Sequence, residues 1–395
     1  MLTDGHYEVA IIGGGFRATA LLAASPELRA RRVAVIERRG NLGGGDMHDY
    51  WTTSTSAGDR FVKDADLSLT AFHDEAVRAV TTSPEPVMLP VLAAALDTIG
   101  QSVLNAGTHL SLVPIEAHEV QIGGPFNRVK LSNGEEITTA HVVLATGRQE
   151  LLAEELVPFR DKVVLSGKFL AQAEPVLVRR ALEGQGPIVI AGCAHSSMSA
   201  LREILRRRDA GDVRYIDREI IVVRRSAPRL YYPNLERAVR EQRAGRERLT
   251  DPRSICRLTG AVHRDSGLRG ESREIYLRLW AGRIPHARLF DIDHLMDATV
   301  ELTRSALIVQ ALGYVGRAPL ITDADGTTIR DPSARSRLAA TADGRALIHG
   351  RPSGQLSILR VDPTPPHLRD HAGYGQGLNR QMADRVLRQL KKGEE

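Results

Sequence analysis

Cysteine is nearly absent from this sequence: Cys193 and Cys256 are the only two in 395 residues. They lie too far apart for a CxxC redox pair, and two thiols cannot build a disulfide framework or a cysteine-rich zinc site. The 13 histidines stand singly, without HExxH or comparable ligand spacing, so no metal centre is expected. No apolar run approaches the roughly 20 residues that span a bilayer, so no membrane partner is expected. The opening stretch, Met1 to Glu8, lacks a basic segment followed by an apolar one, and no secretory signal is expected there. A soluble, cytoplasmic protein is the expectation.

Lysine is scarce as well, six residues among 53 basic side chains. Against 48 acids the chain carries a formal charge of +5, which is mild for its length. The excess is local: residues 224–288 hold 16 arginines, no lysine and 7 acids. Such a field steers anions, whether a phosphate group, an acidic substrate or a carrier domain, and their binding would then weaken with salt. Aromatics do not interleave with these arginines in the way that stacks bases, so nucleic acid is not an expected partner. At 42% hydrophobic and 26% charged residues the composition is that of a globular protein, long enough for two or three compact units.

What is present begins at Val9-Ala-Ile-Ile-Gly-Gly-Gly-Phe-Arg-Ala18, an apolar strand running into a glycine turn and then an Ala/Leu-rich helix. Arg32-Val-Ala-Val-Ile-Glu37 follows as a second buried strand ending in an acid. Gly13, Gly15 and Ala18 fill a GxGxxG/A pattern. In that pattern the first glycine permits the tight turn, the second lets a pyrophosphate approach the backbone, and the small third residue allows close helix–strand packing. The helix N-terminus then faces phosphate, and Glu37 accepts hydrogen bonds from a ribose. A dinucleotide site is expected here.

A second strand–turn–helix unit lies at Pro187 to Ala200, with Ile220-Ile-Val-Val-Arg-Arg225 as its following strand. Its glycine pattern is degenerate: Gly192, Ala194 and Ser197 occupy the three places. The strand ends in Arg224 and Arg225 where an NADH site would have an acid, which suits a 2′-phosphate and hence NADPH. His195 and Ser196, where the helix opens, can reach phosphate. A unit of the same shape that binds nothing remains the alternative.

Strands are also expected at Val142 to Ala145, before Thr146-Gly147, and at Ala306 to Leu312, before Gly313-Tyr314. Short pieces at His109–Val113, Val129–Leu131 and Glu136–Thr138 read as a β-meander, and Leu89 to Leu104 as an amphipathic helix.

This arrangement resembles the two-dinucleotide-binding-domain flavoproteins, in which a GxGxxG domain for FAD is interrupted by an inserted NAD(P)H domain. The resemblance implies an α/β fold of two Rossmann-like three-layer domains: 1–158 as the first part of the FAD domain, 159–304 as the insert, and 305–395 as the returning FAD part. It also implies flavin contacts from Arg38, from Gly43 and Gly44 in Leu42-Gly-Gly-Gly45, from Thr146 and Gly147, and from Gln376 and Gly377 in a glycine turn opening a final helix to about Leu390. Trp51 would pack on the isoalloxazine or lie in the core. His48 would donate to the flavin or act as an acid or base, with a simple loop role as the alternative.

Within that group, neither cysteine sits where disulfide reductases need a pair, and the histidine and tryptophan of the Baeyer–Villiger stretch are missing from Phe159 to Phe169. That stretch is more similar to the linker of microbial N-hydroxylating monooxygenases, through Phe159, Val163-Val-Leu165, Ser166 and Phe169, although Leu165 stands in the histidine place. Arg60-Phe-Val-Lys-Asp64 is similar to that family's Phe-Leu-Lys-Asp segment, which implies a contact from Lys63 to substrate or NADPH, with Asp64 holding it. A surface ion pair is the alternative.

The resemblance implies NADPH-dependent oxygenation of a small amine or amino-acid-like substrate by FAD and O₂ through a C4a-hydroperoxide, the substrate being anionic or carrier-bound if the arginines meet it. An oxidase or dehydrogenase that ignores NADPH, an electron-transfer reductase and a non-catalytic flavin-binding protein are the alternatives, and homo-oligomerisation stays open.

Overall fold

The computed structural model describes residues 6–243, 254–256, 260–264, 267–332, 338–341, 343–359 and 378–394. The chain divides into two compact units. The first comprises Met1–His48, Ser56–Gln149 and Val315–Glu395, the second Asp49–Thr55 and Glu150–Tyr314.

In the first unit His6–Ile12 is the central strand, paired in parallel with Val33–Ile36 on one side and Glu136–Leu144 on the other. Its residues alternate between two cores, as a strand covered on both faces requires. Val9 and Ile11 pack with Val33, Val35, Leu21, Leu96 and Ile99, while Ala10 and Ile12 pack with Ala34, Ile36, Val129, Leu131 and Val142. The first core is roofed by Phe16–Ala23, by Leu89–Ala106 and by the final helix Leu378–Glu394 through Met382, Ala383 and Val386. The expected meander is corrected in one piece. Leu110–Val113 pairs in parallel with Val33–Ile36 at the edge of the sheet, because its register extends the parallel array. The antiparallel run is Ala117–Gln121, Asn127–Leu131 and Glu136–Leu144.

A buried polar network joins this sheet to the final helix. His141 Nε2 lies 2.8 Å from Ser357 Oγ, and Arg385 donates to the same oxygen at 2.6 Å and to the Asp343 carbonyl at 2.8 Å. Burial, and then the charge of Arg385, push His141 down to about 3. In the unfolded chain its value is ordinary, near 6.5, so between pH 6.5 and 3 the unfolded state binds the extra proton. The contribution of His141 is therefore intact above about pH 6.5 and falls by about 1.4 kcal/mol per unit as the pH drops through that window. His141→Gln keeps a hydrogen-bonding partner for Ser357 and cannot charge, so its acid-unfolding midpoint, followed by circular dichroism, is expected below that of the wild type. Coincident midpoints would remove His141 from acid unfolding.

The second unit holds five parallel strands in the order Val163–Leu165, Leu307–Gln310, Ile188–Ala191, Ile220–Arg224, Ala287–Asp291. Alternation again divides them. Ile188, Ile190, Ile220, Val222, Leu307 and Val309 face Met198, Leu201 and Ile204 of the helix His195–Asp209, and Val189, Ala191, Ile221, Val223 and Ile308 face Leu156, Leu295 and Leu302. Leu307–Gln310 falls outside the insert expected at 159–304, yet its four buried residues fill the gap between Val163–Leu165 and Ile188–Ala191. Strand order reverses between Ile188–Ala191 and Leu307–Gln310, the place in an open α/β sheet where ligands bind beyond the carboxyl ends.

Candidate functional site

In the first unit the turn after His6–Ile12 is built by close approach. Gly13 has φ +99, and a Cβ there would lie 2.6 Å from the Ala145 carbonyl oxygen. Gly15 is different: a Cβ would meet nothing nearer than Gly45 Cα at 4.0 Å. Ala18 is fully buried beneath the strand. Glu37 closes the turn, accepting from the Gly14 amide at 2.7 Å and the Arg39 amide at 3.0 Å. Arg38 is exposed beside it.

The loop Leu42–Gly45 lies on the helix Leu89–Ala106, whose Ala93, Asp97 and Gly100 share one face at i, i+4 and i+7. A Cβ on Gly44 would fall 2.4 Å from Ala93 Cβ, and one on Gly100 would overlap the Leu42 carbonyl. Gly43 donates to Gly14 O at 2.8 Å and accepts from Thr19 Oγ1 at 3.1 Å, so loop and turn are fastened together. Asp97 Oδ1 accepts from the Gly44 amide at 2.8 Å, and its Oδ2 lies 2.6 Å from His48 Nε2. Thr146 donates to the Arg317 carbonyl, and Gly147 follows at φ +71. Lys63 is exposed in a turn after Gly58–Arg60, with Asp64 half-buried next to it. Gln376 and Gly377 lie outside the described residues.

Trp51 belongs to the second unit and is 66% exposed, so it is not a core indole. Its loop is held by Arg202, which donates to Thr52 Oγ1 at 2.9 Å and pairs with Glu271. The second glycine turn is also tight: Gly192 has φ +121, and a Cβ there would lie 2.2 Å from the Ala311 carbonyl. Ala194 is exposed and opens the helix His195–Asp209. His195 Nε2 lies 3.1 Å from the Gly267 carbonyl, and burial holds its pKa below the ordinary value, favouring the neutral ring.

Tyr314, beside Ser196, has its hydroxyl 3.4 Å from Ser166 Oγ. Ser166 donates in turn to Glu150 at 2.7 Å, and the other carboxylate oxygen accepts from the Gly167 amide at 2.7 Å. Burial raises the Glu150 pKa above the carboxylate norm. These groups gather at the carboxyl ends of Val163–Leu165, Ile188–Ala191 and Leu307–Gln310, beside the reversal of strand order.

The two arginines after Ile220–Val223 differ. Arg224 is held in a fork by Asp291, at 2.6 and 3.2 Å, and donates to Tyr276 at 2.7 Å. Arg225 is exposed and has no partner among the described residues. Cys193, beneath Arg224, is pushed up to about 12 by burial, so its thiol stays protonated and inert. The arginine-rich stretch is also partly neutralised where it sits. Arg237 pairs with Glu241, Arg273 with Glu241 and Glu274, and Arg288 with Glu219. The field available to an anion is weaker than the bare count of charges implies.

Sequence reading named His48 but not Asp97, the one charged residue of Leu89–Ala106, a signal that was available. It also missed Glu150, Arg202 and Asp291, whose roles depend on partners 16 to 151 positions away. No local pattern marks them.

Two glycine-turn sheets, the second occupying the middle of the sequence of the first, define the two-domain FAD/NAD(P)H flavoprotein fold. No family model matches the chain. Among solved structures it is similar to the FAD-bound cadaverine monooxygenase of Erwinia amylovora, at 14% identity and TM-score 0.60 over 98% of this chain and 94% of that one. It is also similar to the ornithine N-hydroxylase of Kutzneria sp. 744, solved with reduced FAD, NADP⁺ and L-ornithine, at 15% identity and TM-score 0.58 over 99% and 100%. Among curated proteins it resembles the CMP-5′-(3-aminopropyl)phosphonate hydroxylase of Streptomyces rubellomurinus, 29% identical over 378 residues, which cover 86% of this chain and 84% of the relative. Among the described residues no helix is long and apolar enough to cross a membrane.

Proposed function

We propose that the protein is a cytoplasmic FAD-dependent monooxygenase that takes electrons from NADPH and hydroxylates the amine nitrogen of a small substrate. The observation that carries this reading is Gly15: open space faces its α-carbon although the fingerprint demands glycine there, so the room serves a ligand and not the chain. The residues suit FAD. Gly13 and Gly15 form the pyrophosphate cradle, Glu37 offers carboxylate oxygens to a ribose, and the Gly43–Gly44 loop borders the same turn. In the second unit Gly192, His195 and Ser196 would hold the NADPH pyrophosphate and Arg225 its 2′-phosphate, with Arg224 as a buttress.

The flavin, when bound, supplies the oxygen chemistry. The chain contributes binding and orientation: the fastened Gly14–Gly43 turn fixes the cradle, and the contact with the Gly267 carbonyl holds His195 at the start of its helix. Three features support an amine that carries phosphate, phosphonate or a nucleotide: the resemblance to a hydroxylase of a nucleotide-linked aminophosphonate, the arginines of 224–288, and exposed Lys63. Simple diamines and amino acids are the substrates of the structural relatives named above.

The test is the visible spectrum of the purified protein, followed by NADPH without air and then by candidate amines in air. Flavin absorbance, anaerobic bleaching and a hydroxylamine product 16 mass units heavier are expected. Absence of a flavin spectrum after incubation with FAD overturns the reading. Flavin that NADPH does not bleach returns the protein to the oxidases and dehydrogenases, and bleaching without amine oxidation returns it to the reductases.

A further inference from the structure

We infer that Asp97 is a positioning residue that builds a proton-holding dyad with His48 at the edge of the flavin cradle, an inference that rests on the flavin reading above. The helix Leu89–Ala106 is apolar or uncharged at every other position, so this single carboxylate on the face beneath the loop needs a reason. Both its oxygens are used. Oδ1 receives the Gly44 amide at 2.8 Å, and Oδ2 lies 2.6 Å from His48 Nε2. An ionised carboxylate only accepts, so Nε2 carries the proton and the neutral ring is left with a basic lone pair on Nδ1. Among the described residues His48 Nδ1 has no hydrogen-bond partner, and the side chain is 37% exposed.

The geometry is that of a base whose tautomer is fixed by an acid, with the working nitrogen left open. A proton taken up at Nδ1 would give an imidazolium stabilised by Asp97. Among the described residues this short 3-10 turn, Gly45–Asp49, also carries Asp46 and Asp49, and Arg39 and Arg317 approach it. Arg39 lies 3.0 Å from Asp46 and Arg317 lies 4.0 Å from it, so the two arginines are directed at Asp46. Asp97 also ties the dyad to the cradle. Gly44 follows Gly43, whose amide is bonded to Gly14 in the first turn, so the carboxylate that orients the ring also sets the loop.

Three variants separate these roles. Asp97→Asn is isosteric: its carbonyl still accepts from Gly44, while its amide donates to His48 Nε2, reverses the tautomer and removes the negative charge. Asp97→Ala removes both contacts, and His48→Ala assigns the ring's resonances. The primary readout is ¹⁵N-histidine NMR of the flavin-free protein across pH, which needs neither bound FAD nor turnover. The wild type is expected to show His48 protonated on Nε2. Asp97→Asn is expected to move the proton to Nδ1. Unchanged His48 ring-nitrogen shifts in Asp97→Asn overturn the dyad, whatever the flavin does. FAD retention is the second readout: near wild type in Asp97→Asn, at least tenfold weaker in Asp97→Ala. Wild-type FAD affinity in Asp97→Ala overturns the link to the loop. A wild type that binds no FAD but shows the expected histidine shifts would sink the flavin reading and leave the dyad standing.

Discussion

Gly15→Ala is expected to leave the flavin-free protein as stable as the wild type and to weaken FAD binding at least tenfold. The backbone there has φ −71, open to any residue, and the new methyl would sit 4.0 Å from its nearest neighbour, Gly45 Cα. Nothing in the chain resists it, so the cost falls on whatever approaches the turn. Gly13→Ala is the contrasting change. It must hold φ +99 and place a methyl 2.6 Å from the Ala145 carbonyl oxygen, with backbone strain alone costing about 1–3 kcal/mol. A lowered melting temperature and lost flavin are expected together. Thermal melts of the stripped proteins and flavin content after reconstitution check both. If Gly15→Ala binds FAD as the wild type does, the pyrophosphate does not pass over this turn.

The second large effect separates two adjacent arginines. Arg225→Ala is expected to raise the Kd for NADP⁺ by about 10- to 100-fold, the worth of charge-assisted hydrogen bonds to one phosphate, and to leave NAD⁺ binding unchanged. Arg224→Ala should behave as a structural lesion. Its guanidinium, with the side chain 12% exposed, is fixed by Asp291 and Tyr276, so its loss should lower the melting temperature and weaken both dinucleotides. Titrations with the two nucleotides, alongside melting curves, distinguish these outcomes. Equal losses of NADP⁺ and NAD⁺ in Arg225→Ala would place the 2′-phosphate elsewhere. The pairing also bears on salt. With Arg237, Arg273 and Arg288 engaged by Glu241, Glu274 and Glu219, the salt dependence of binding should reflect one or two cations, not an excess of nine spread over 224–288.

The sequence by itself determined the parts that depend on near neighbours. Val9 to Glu37 reads as strand, turn, helix and strand because two apolar runs of four residues, 9–12 and 33–36, must be buried on both faces, and because Gly13 meets a need that few other residues can. Pro187 to Arg225 is legible for the same reason. What the tertiary structure decided is pairing. It assigned Leu307–Gln310 to the second sheet, made Leu110–Val113 a parallel edge strand, and committed Arg224 to Asp291. It also brought Asp97 under His48, 49 positions away, and Ser166 to Glu150, 16 away. Apolar periodicity says that a strand is buried but not which partner buries it, and a charge count does not say which charges already hold one another. The cysteine poverty noted at the outset keeps its meaning in the fold: Cys193 is half-buried with its thiol pushed up to about 12, and Cys256 is fully buried. Sequence alone excluded a cysteine redox pair, and burial removed the remaining thiol chemistry of Cys193.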